Sequence, residues 1–320
     1  MSAPPAEYPP PPRLRSGRAP LRFFLVTATV TLLLAIAGEW NLFGYFLVFG
    51  LPFTGGFALG WSLDCDRRLL LVLVGVVIVV VGASALIFGW AGIVCTAILA
   101  TVLILPMAIG AILGRSMERR LQRRYGAAPS AVPVILFAVV AAGMTAEAAL
   151  TPPFEPESVS TRRVLPVTPS EAWDRILFYE EVPFDPPLLA RIGVPHPVRT
   201  EGRVTGVGDV KRCIYTTGHL RKRITRYRRD EELVFDVIEQ RGIEDRSAEL
   251  LAGSFRFEEL PDGSTAVILT TTYRPLLQAR PVWRPFERAV AHALHGHVLD
   301  GMERREPAPP HLLTAVTAAP

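Results

Sequence analysis

Residues 206–238 read GVGDVKRCIYTTGHLRKRITRYRRDEELVFDVI, and their pattern decides the fold of the second half of the chain. Charged and apolar residues alternate here in runs of strand length separated by turn signals, as in an antiparallel sheet with one covered face. Three strands are expected: residues 209–216, ended by Gly218; residues 220–228, ended by the Asp230-Glu231-Glu232 turn; and residues 233–238. In the third, Leu233, Phe235 and Val237 share one face and Asp236 takes the other. In the first, Lys211, Cys213 and Tyr215 share a face opposite Val210 and Ile214, and parity alone leaves open which of the two points inward.

Gly206-Val207-Gly208-Asp209-Val210-Lys211-Arg212-Cys213, followed by Gly218, Ile224-Thr225 and Leu233-Val234-Phe235-Asp236-Val237, resembles the central strands of the START-like superfamily, the polyketide cyclase/dehydrase and lipid transport group abbreviated SRPBCC. The likeness covers roughly residues 158–306, about half the chain. It implies an α+β helix-grip domain: a curved antiparallel sheet around a long C-terminal helix, with a ligand cavity between them.

The flanks agree with that expectation. An edge strand is read over residues 161–167, and Thr168-Pro169-Ser170-Glu171 has the form of a capping box opening a helix whose apolar face is Ala172, Trp173, Ile176 and Leu177. Trp173 is assigned to the core. Residues 182–197 are proline-rich, with a short helical piece around 188–192 and with His196 in an exposed loop. Another strand covers 198–204. The Gly206-Val207-Gly208 turn lacks the third glycine and the following helix that a dinucleotide site needs. The basic run from His219 to Arg229 is read as a solvated outer face answered by Asp230, Glu231 and Glu232. Residues 253–260 and 265–274, joined by Pro261-Asp262-Gly263-Ser264, form a hairpin with Val267, Leu269, Thr271 and Tyr273 on one face. In the last helix, residues 283–305, Phe286, Val290, Leu294, His297, Val298 and Gly301 fall on one stripe, with His292 opposite and His295 on the flank.

Composition requires a second, different half. The 320 residues are 50% hydrophobic and 20% charged, too apolar for an ordinary soluble protein and too charged for a pure membrane bundle. The net charge of +4 is modest, and the arginines lie beside apolar segments, so they speak of membrane orientation; no nucleic-acid motif is present. Residues 1–20 are rich in proline and arginine and are read as a disordered tail, as are residues 307–320. Residues 21–150 are an α-helical membrane region of about five spans: 23–38, 42–63, two within 69–113 divided near Gly89-Trp90 and kinked at Pro106, and 132–150, with a basic loop at 115–124. Residues 151–158, TPPFEPES, are a linker, and residues 159–306 the START-like domain. Arginines at 13–22, 67–68 and 115–124 fall at alternate ends of five spans, so all three groups can be cytoplasmic and the C-terminal domain extracytoplasmic; one span fewer returns it to the cytoplasm. Glu39 and Glu147 are read as interfacial.

The expected function is a membrane-anchored module that binds a small hydrophobic ligand, a lipid, isoprenoid or polyketide-like molecule, between sheet and helix. Its expected partners are the bilayer and that ligand; the sequence names no protein partner. Tyr215, Phe235, Phe257, Tyr273 and His297 are the candidate cavity residues, the last two as orienting groups. A cyclase-type enzyme using the same cavity is the alternative, and a ligand-free interaction domain a third. No Ser-His-Asp or Cys-His grouping, metal-ligand spacing or inward pair of carboxylates is legible, so no cofactor, metal or catalytic residue is expected.

Overall fold

In the computed structural model, which describes residues 18–40, 42–87, 93–126, 128–176, 191, 194–202, 204–242 and 247–304, the chain divides between Pro152 and Pro153 into two units. The expectations for residues 1–17, the Gly89-Trp90 turn, the helical piece at 188–190 and the C-terminal tail lie outside the described residues.

The first unit is helical: α1 (Ala19–Glu39), a π-helical segment (Phe46–Gly50) running directly into α2 (Leu51–Ser62), α3 (Arg67–Ile87), α4 (Ile93–Tyr125) and α5 (Val132–Leu150). Four of these, α1, α3, α4 from Leu99 onward, and α5, are long and apolar enough to cross a membrane. The stretch expected as a second full span instead yields the shorter apolar helix Phe46–Ser62, about 25 Å long at the helical rise. Its flanks are spent on turns: the Leu42 N–H bonds back to the Ala37 carbonyl, and helix resumes only at Arg67. The basic segment expected as a loop at 115–124 is a continuation of α4, because Arg, Met, Glu, Leu and Gln are good helix formers and nothing in it breaks the ladder.

Two faces of small residues lock α2 to α4. A Cβ on Gly56 would lie 1.9 Å from the Met107 carbonyl oxygen, and one on Gly60 2.0 Å from that of Ala111. Reciprocally, a Cβ on Gly110 would lie 2.1 Å from the Phe53 carbonyl oxygen and one on Gly114 2.2 Å from that of Phe57. Each helix thus offers two glycines one turn apart to the backbone of the other, the close approach by which helices associate where lipid removes the hydrophobic drive.

The ends of this unit differ in charge. At one, Arg22 donates to the Ser62 carbonyl (2.9 Å) and Arg115 to the Cys65 sulfur (3.7 Å). At the other end of the α2 segment, the Glu147 carboxylate accepts from the backbone N–H groups of Tyr45 (2.8 Å) and Phe46 (3.1 Å). Glu147 therefore caps donors that a helix start leaves unpaired. The chain leaves α5 at this second end.

The second unit is a seven-stranded antiparallel sheet in the order β1-β7-β6-β5-β4-β3-β2, with α6 (Pro169–Asp174) and α7 (Arg280–Arg304). The strands are β1 (Glu157–Leu165), β2 (Pro197–Glu201), β3 (Val210–Tyr215), β4 (His219–Arg228), β5 (Glu232–Arg241), β6 (Ala248–Glu259) and β7 (Thr265–Pro275). Strands β2 to β7 follow one another as neighbours, and β1 closes on β7, so the first and last strands are partners. This is the helix-grip architecture. Before α6, the Thr168 hydroxyl accepts from the Glu171 N–H (3.4 Å) and Glu171 accepts from the Thr168 N–H (3.0 Å), the reciprocal capping box. Leu165, Trp173, Ile224, Leu233, Phe255, Phe257, Val267, Leu269, Leu299 and Met302 form the core under α6 and α7. Trp173 stacks edge-on against Tyr227 at 5.2 Å between ring centroids.

The glycine contacts predict a sharp contrast between substitutions. Gly56→Leu or Gly110→Leu is expected to cost about 3 kcal/mol or more, because a backbone oxygen rather than a side chain stands in the way. Gly75→Ala in α3, where a Cβ meets nothing within 4 Å, is expected to be neutral or slightly stabilising. Thermal unfolding of the full chain in detergent checks both.

Candidate functional site

Parity and two irregularities in register set the concave face. On β1, Glu157, Val159, Thr161, Arg163 and Leu165 point toward α7; on β7, Val267, Leu269, Thr271 and Tyr273 do. On β3 the open choice of faces resolves in favour of Lys211, Cys213 and Tyr215, of which Lys211 and Cys213 are buried. By alternation β4 turns Leu220, Lys222 and Ile224 inward, in register with Cys213, Lys211 and Phe235 on the adjoining strands, its pairing with β5 shifting at Arg221/Lys222 and at Ile224/Arg226. The run from His219 to Arg229, expected as a solvated outer face, is thus divided, since the half-buried Lys222 turns to the concave face.

The interior falls into two parts. The close backbone approach of α7 is to β1 and β7. Beside the core beneath it, Cys213 and Leu220 form a second apolar cluster with Tyr215, Val237 and Leu250 packed against them. Phe235 stands between the two, its ring lying over Gly253, where a Cβ would meet it at 2.4 Å. The Lys222 ammonium sits 4.4 Å from the centroid of the same ring.

Of the five cavity candidates, Phe235, Phe257, Tyr273 and His297 are buried and Tyr215 is half-buried. They do not converge on one point. The Tyr273 hydroxyl donates to Glu287 (3.1 Å), whose carboxylate also holds Arg280 (2.6 Å); Arg280 reaches Glu157 (3.0 Å), as does Arg284 (2.9 Å). Burial, with the Glu287 and Glu157 carboxylates beside it, pushes the Tyr273 phenol up to about 12, so it stays protonated and fastens α7 to the sheet. The His297 ring meets His196 edge-on at 6.3 Å, and its Nε2 is buried with no hydrogen-bond partner among the described residues. Burial lowers the His297 pKa, assisted by His196.

Helix α7 is rotated relative to the stripe expected for it. His295, Leu299 and Met302 face the core along with His297 and Gly301, whereas Phe286, Val290 and Leu294 are only half-buried. His295, expected on the flank, is 5% exposed, its Nδ1 3.0 Å from the Thr161 hydroxyl and its Nε2 2.8 Å from that of Thr271. Two hydroxyls, one able to donate and one to accept, pay for the burial of a polar ring that a periodicity count treats as surface. His292 shares the Thr161 hydroxyl at 2.8 Å.

Sequence reasoning missed Lys222 and His295 as interior groups. The signal for Lys222 was present: it stands at the middle of Leu220, Lys222 and Ile224, one face of a strand. Outside, the basic residues are answered as expected. Arg221 pairs with Glu239 (3.0 Å), Arg226 with Glu232 (2.9 Å) and Arg229 with Asp174 (3.0 Å), each through an exposed arginine, so that a pair contributes at most about 1 kcal/mol. Among the described residues, no group of three or more His, Cys, Asp or Glu side chains is placed to hold a metal ion.

No family model matches the chain, and no curated protein matches it. Solved structures similar to it include norcoclaurine synthase from Thalictrum flavum, 9% identical, with 48% of this chain and 95% of that one covered at a TM-score of 0.35. Ara h 8.0201 is 17% identical over 46% of this chain and 99% of its own, TM-score 0.30, and a protein of Nitrosomonas europaea is 12% identical over 51% and 97%, TM-score 0.33. The helix-grip assignment rests on the strand order and the two helices themselves.

His295 generates a pH dependence. Burial, aided by His292 and by the Lys222 charge across the interior, lowers its pKa from 6.5 to about 4. Between these values the unfolded chain takes up a proton that the folded one refuses, so stability is whole above pH about 6.5 and declines as pH falls toward about 4, by up to about 3 kcal/mol. Ring titration by NMR is expected to show His295 protonating below pH 5, and His295→Gln to flatten the dependence of the unfolding midpoint on pH across that window.

Proposed function

We propose that the chain is a membrane-anchored helix-grip protein whose second unit holds a small hydrophobic molecule, a lipid, isoprenoid or polyketide-like compound, against the concave face of its sheet. One observation carries this reading: the interior beside α7 is a separate apolar patch, Cys213, Leu220, Val237 and Leu250, edged by a few polar groups, Tyr215, Lys222 and His295. An apolar concavity with a small number of convergent polar groups is the general form of a small-molecule site. In this reading Tyr215, Phe235 and Phe257 supply wall, His297 meets the guest beside His196, and Tyr273 acts through its bond to Glu287 as the fastening of the cavity's helical side.

Helices α1 to α5 seat the protein in a bilayer. By the excess of basic residues on cytoplasmic segments, the end of the first unit bearing Arg22, Arg67, Arg68 and Arg115 is cytoplasmic. In this reading the chain leaves that unit at the Glu147 end, and the helix-grip unit is extracytoplasmic.

The test is native mass spectrometry with organic extraction on the full chain purified from cells, beside Val237→Trp, which fills the apolar patch. One molecule recurring at near-equal amount in the wild type and several-fold depleted in the variant supports the reading. The same bilayer lipids in the same amounts from both proteins, with both folded by circular dichroism, overturn it.

A further inference from the structure

We infer that the guest is an amphiphile bearing one anionic group, and that Lys222 on the inner face of β4 receives it. The inference rests on the preceding reading of the sheet interior as a ligand cavity and adds the chemical class of the ligand.

The cations of this unit are partnered unequally. The inward cations next to α7 are answered by carboxylates: Arg280 by Glu157 and Glu287, and Arg163 by Asp300 and Glu303. The outer-face arginines named above have theirs on neighbouring strands or, for Arg229, on α6. Lys222 is different. Its neighbours are the Phe235 ring, the Cys213 thiol and the Tyr215 phenol, and among the described residues no carboxylate lies at ion-pair distance from it. The residue opposite it on β3 is a second lysine, Lys211, buried on the same face and engaged in contacts of its own, and His295 faces it from α7. Lys222 itself is half-buried. Like charges directly opposed across a strand pair are unfavourable, and an ammonium partly withdrawn from water gains from a counter-charge.

A bound anion supplies that counter-charge, and the surroundings suit one. Burial holds the Tyr215 phenol protonated, so that its O–H and the Cys213 S–H are donors to an acceptor beside the ammonium. The aliphatic and aromatic residues around it, Leu220, Phe235, Val237 and Leu250, accept an apolar body. A lysine is a compact point charge that takes a carboxylate or a phosphate monoester alike.

The experiment uses the full chain in phosphatidylcholine nanodiscs and two photoactivatable probes: a palmitate analogue with a diazirine in its chain, and the primary alcohol of the same skeleton. Both enter the bilayer; only one carries a charge. Mass spectrometry of the cross-linked peptides is expected to place the acid on the inner-face residues of β3 to β5 at about tenfold or more the yield of the alcohol. Lys222→Met is expected to abolish that excess while leaving the alcohol's labelling unchanged, and Lys222→Arg to retain it. Displacement of the acid probe by unlabelled palmitate or by hexadecyl phosphate supports the inference and identifies the preferred head group; displacement by neither overturns it. Equal labelling by acid and alcohol, or an excess that survives Lys222→Met, overturns the anionic assignment and leaves the cavity standing. Absence of both probes from the inner face overturns the cavity as well.

Discussion

One helix has to close a sheet of seven strands. Helix α7 is fastened along β1 and β7 by hydrogen bonds and ion pairs: His295 between Thr161 and Thr271, Arg280 and Arg284 on Glu157, Glu287 on Tyr273, and Arg163 on Asp300. Each of these sets a polar group of the helix against a polar group of a strand, His295 and Tyr273 inside the fold and Arg284 and the Arg163–Asp300 pair at its margin, so the helix has one seat and one rotation. The inward Glu157, Thr161, Arg163, Thr271 and Tyr273 side chains of β1 and β7 are engaged in holding it. What remains for other uses lies across the interior, on β3 to β5, where the inward groups are Cys213, Tyr215, Leu220, Lys222 and Val237. The division of labour between fastening and presenting follows from that single contact line.

The alternation of residues 206–238 and the capping box at Thr168 made the strands and the opening helix legible, because both depend on neighbours in the chain. The rotation of α7 was not legible for the opposite reason. A stripe count assigns histidine to the surface, and only the hydroxyls of Thr161 and Thr271, more than a hundred residues and some twenty residues away respectively, make His295 an interior residue. Lys222 was hidden by its company: in a run so rich in arginine, the cluster was treated as one outer face, although parity places it with Leu220 and Ile224. The bulges that flank it depend on how β4 meets β5 and leave no local mark.

In the first unit, apolar length was readable and packing was not. The boundaries of α1, α3 and α5 follow from hydropathy, and the extension of α4 through its arginines follows from helix propensity once the residues are no longer counted as a loop. The pairing of α2 with α4 is written in Gly56, Gly60, Gly110 and Gly114, at a spacing of four in each helix. A hydropathy reading passes over these glycines because they contribute little to either side of its sum. Glu147, read as a residue in contact with interfacial water, has backbone donors of its own at the start of the α2 segment.

That pairing also bears on biogenesis. Helix α2 is short, and the surface that receives its glycines belongs to a helix made later, with the whole of α3 emerging from the ribosome between them. During synthesis α2 therefore exists for a time without its mate, its glycine backbone facing whatever surrounds the nascent chain. The order of translation makes the arrival of α4 the event that gives α2 a permanent neighbour, and a pause or error in making α3 and α4 leaves the earlier helices without the contact that completes them.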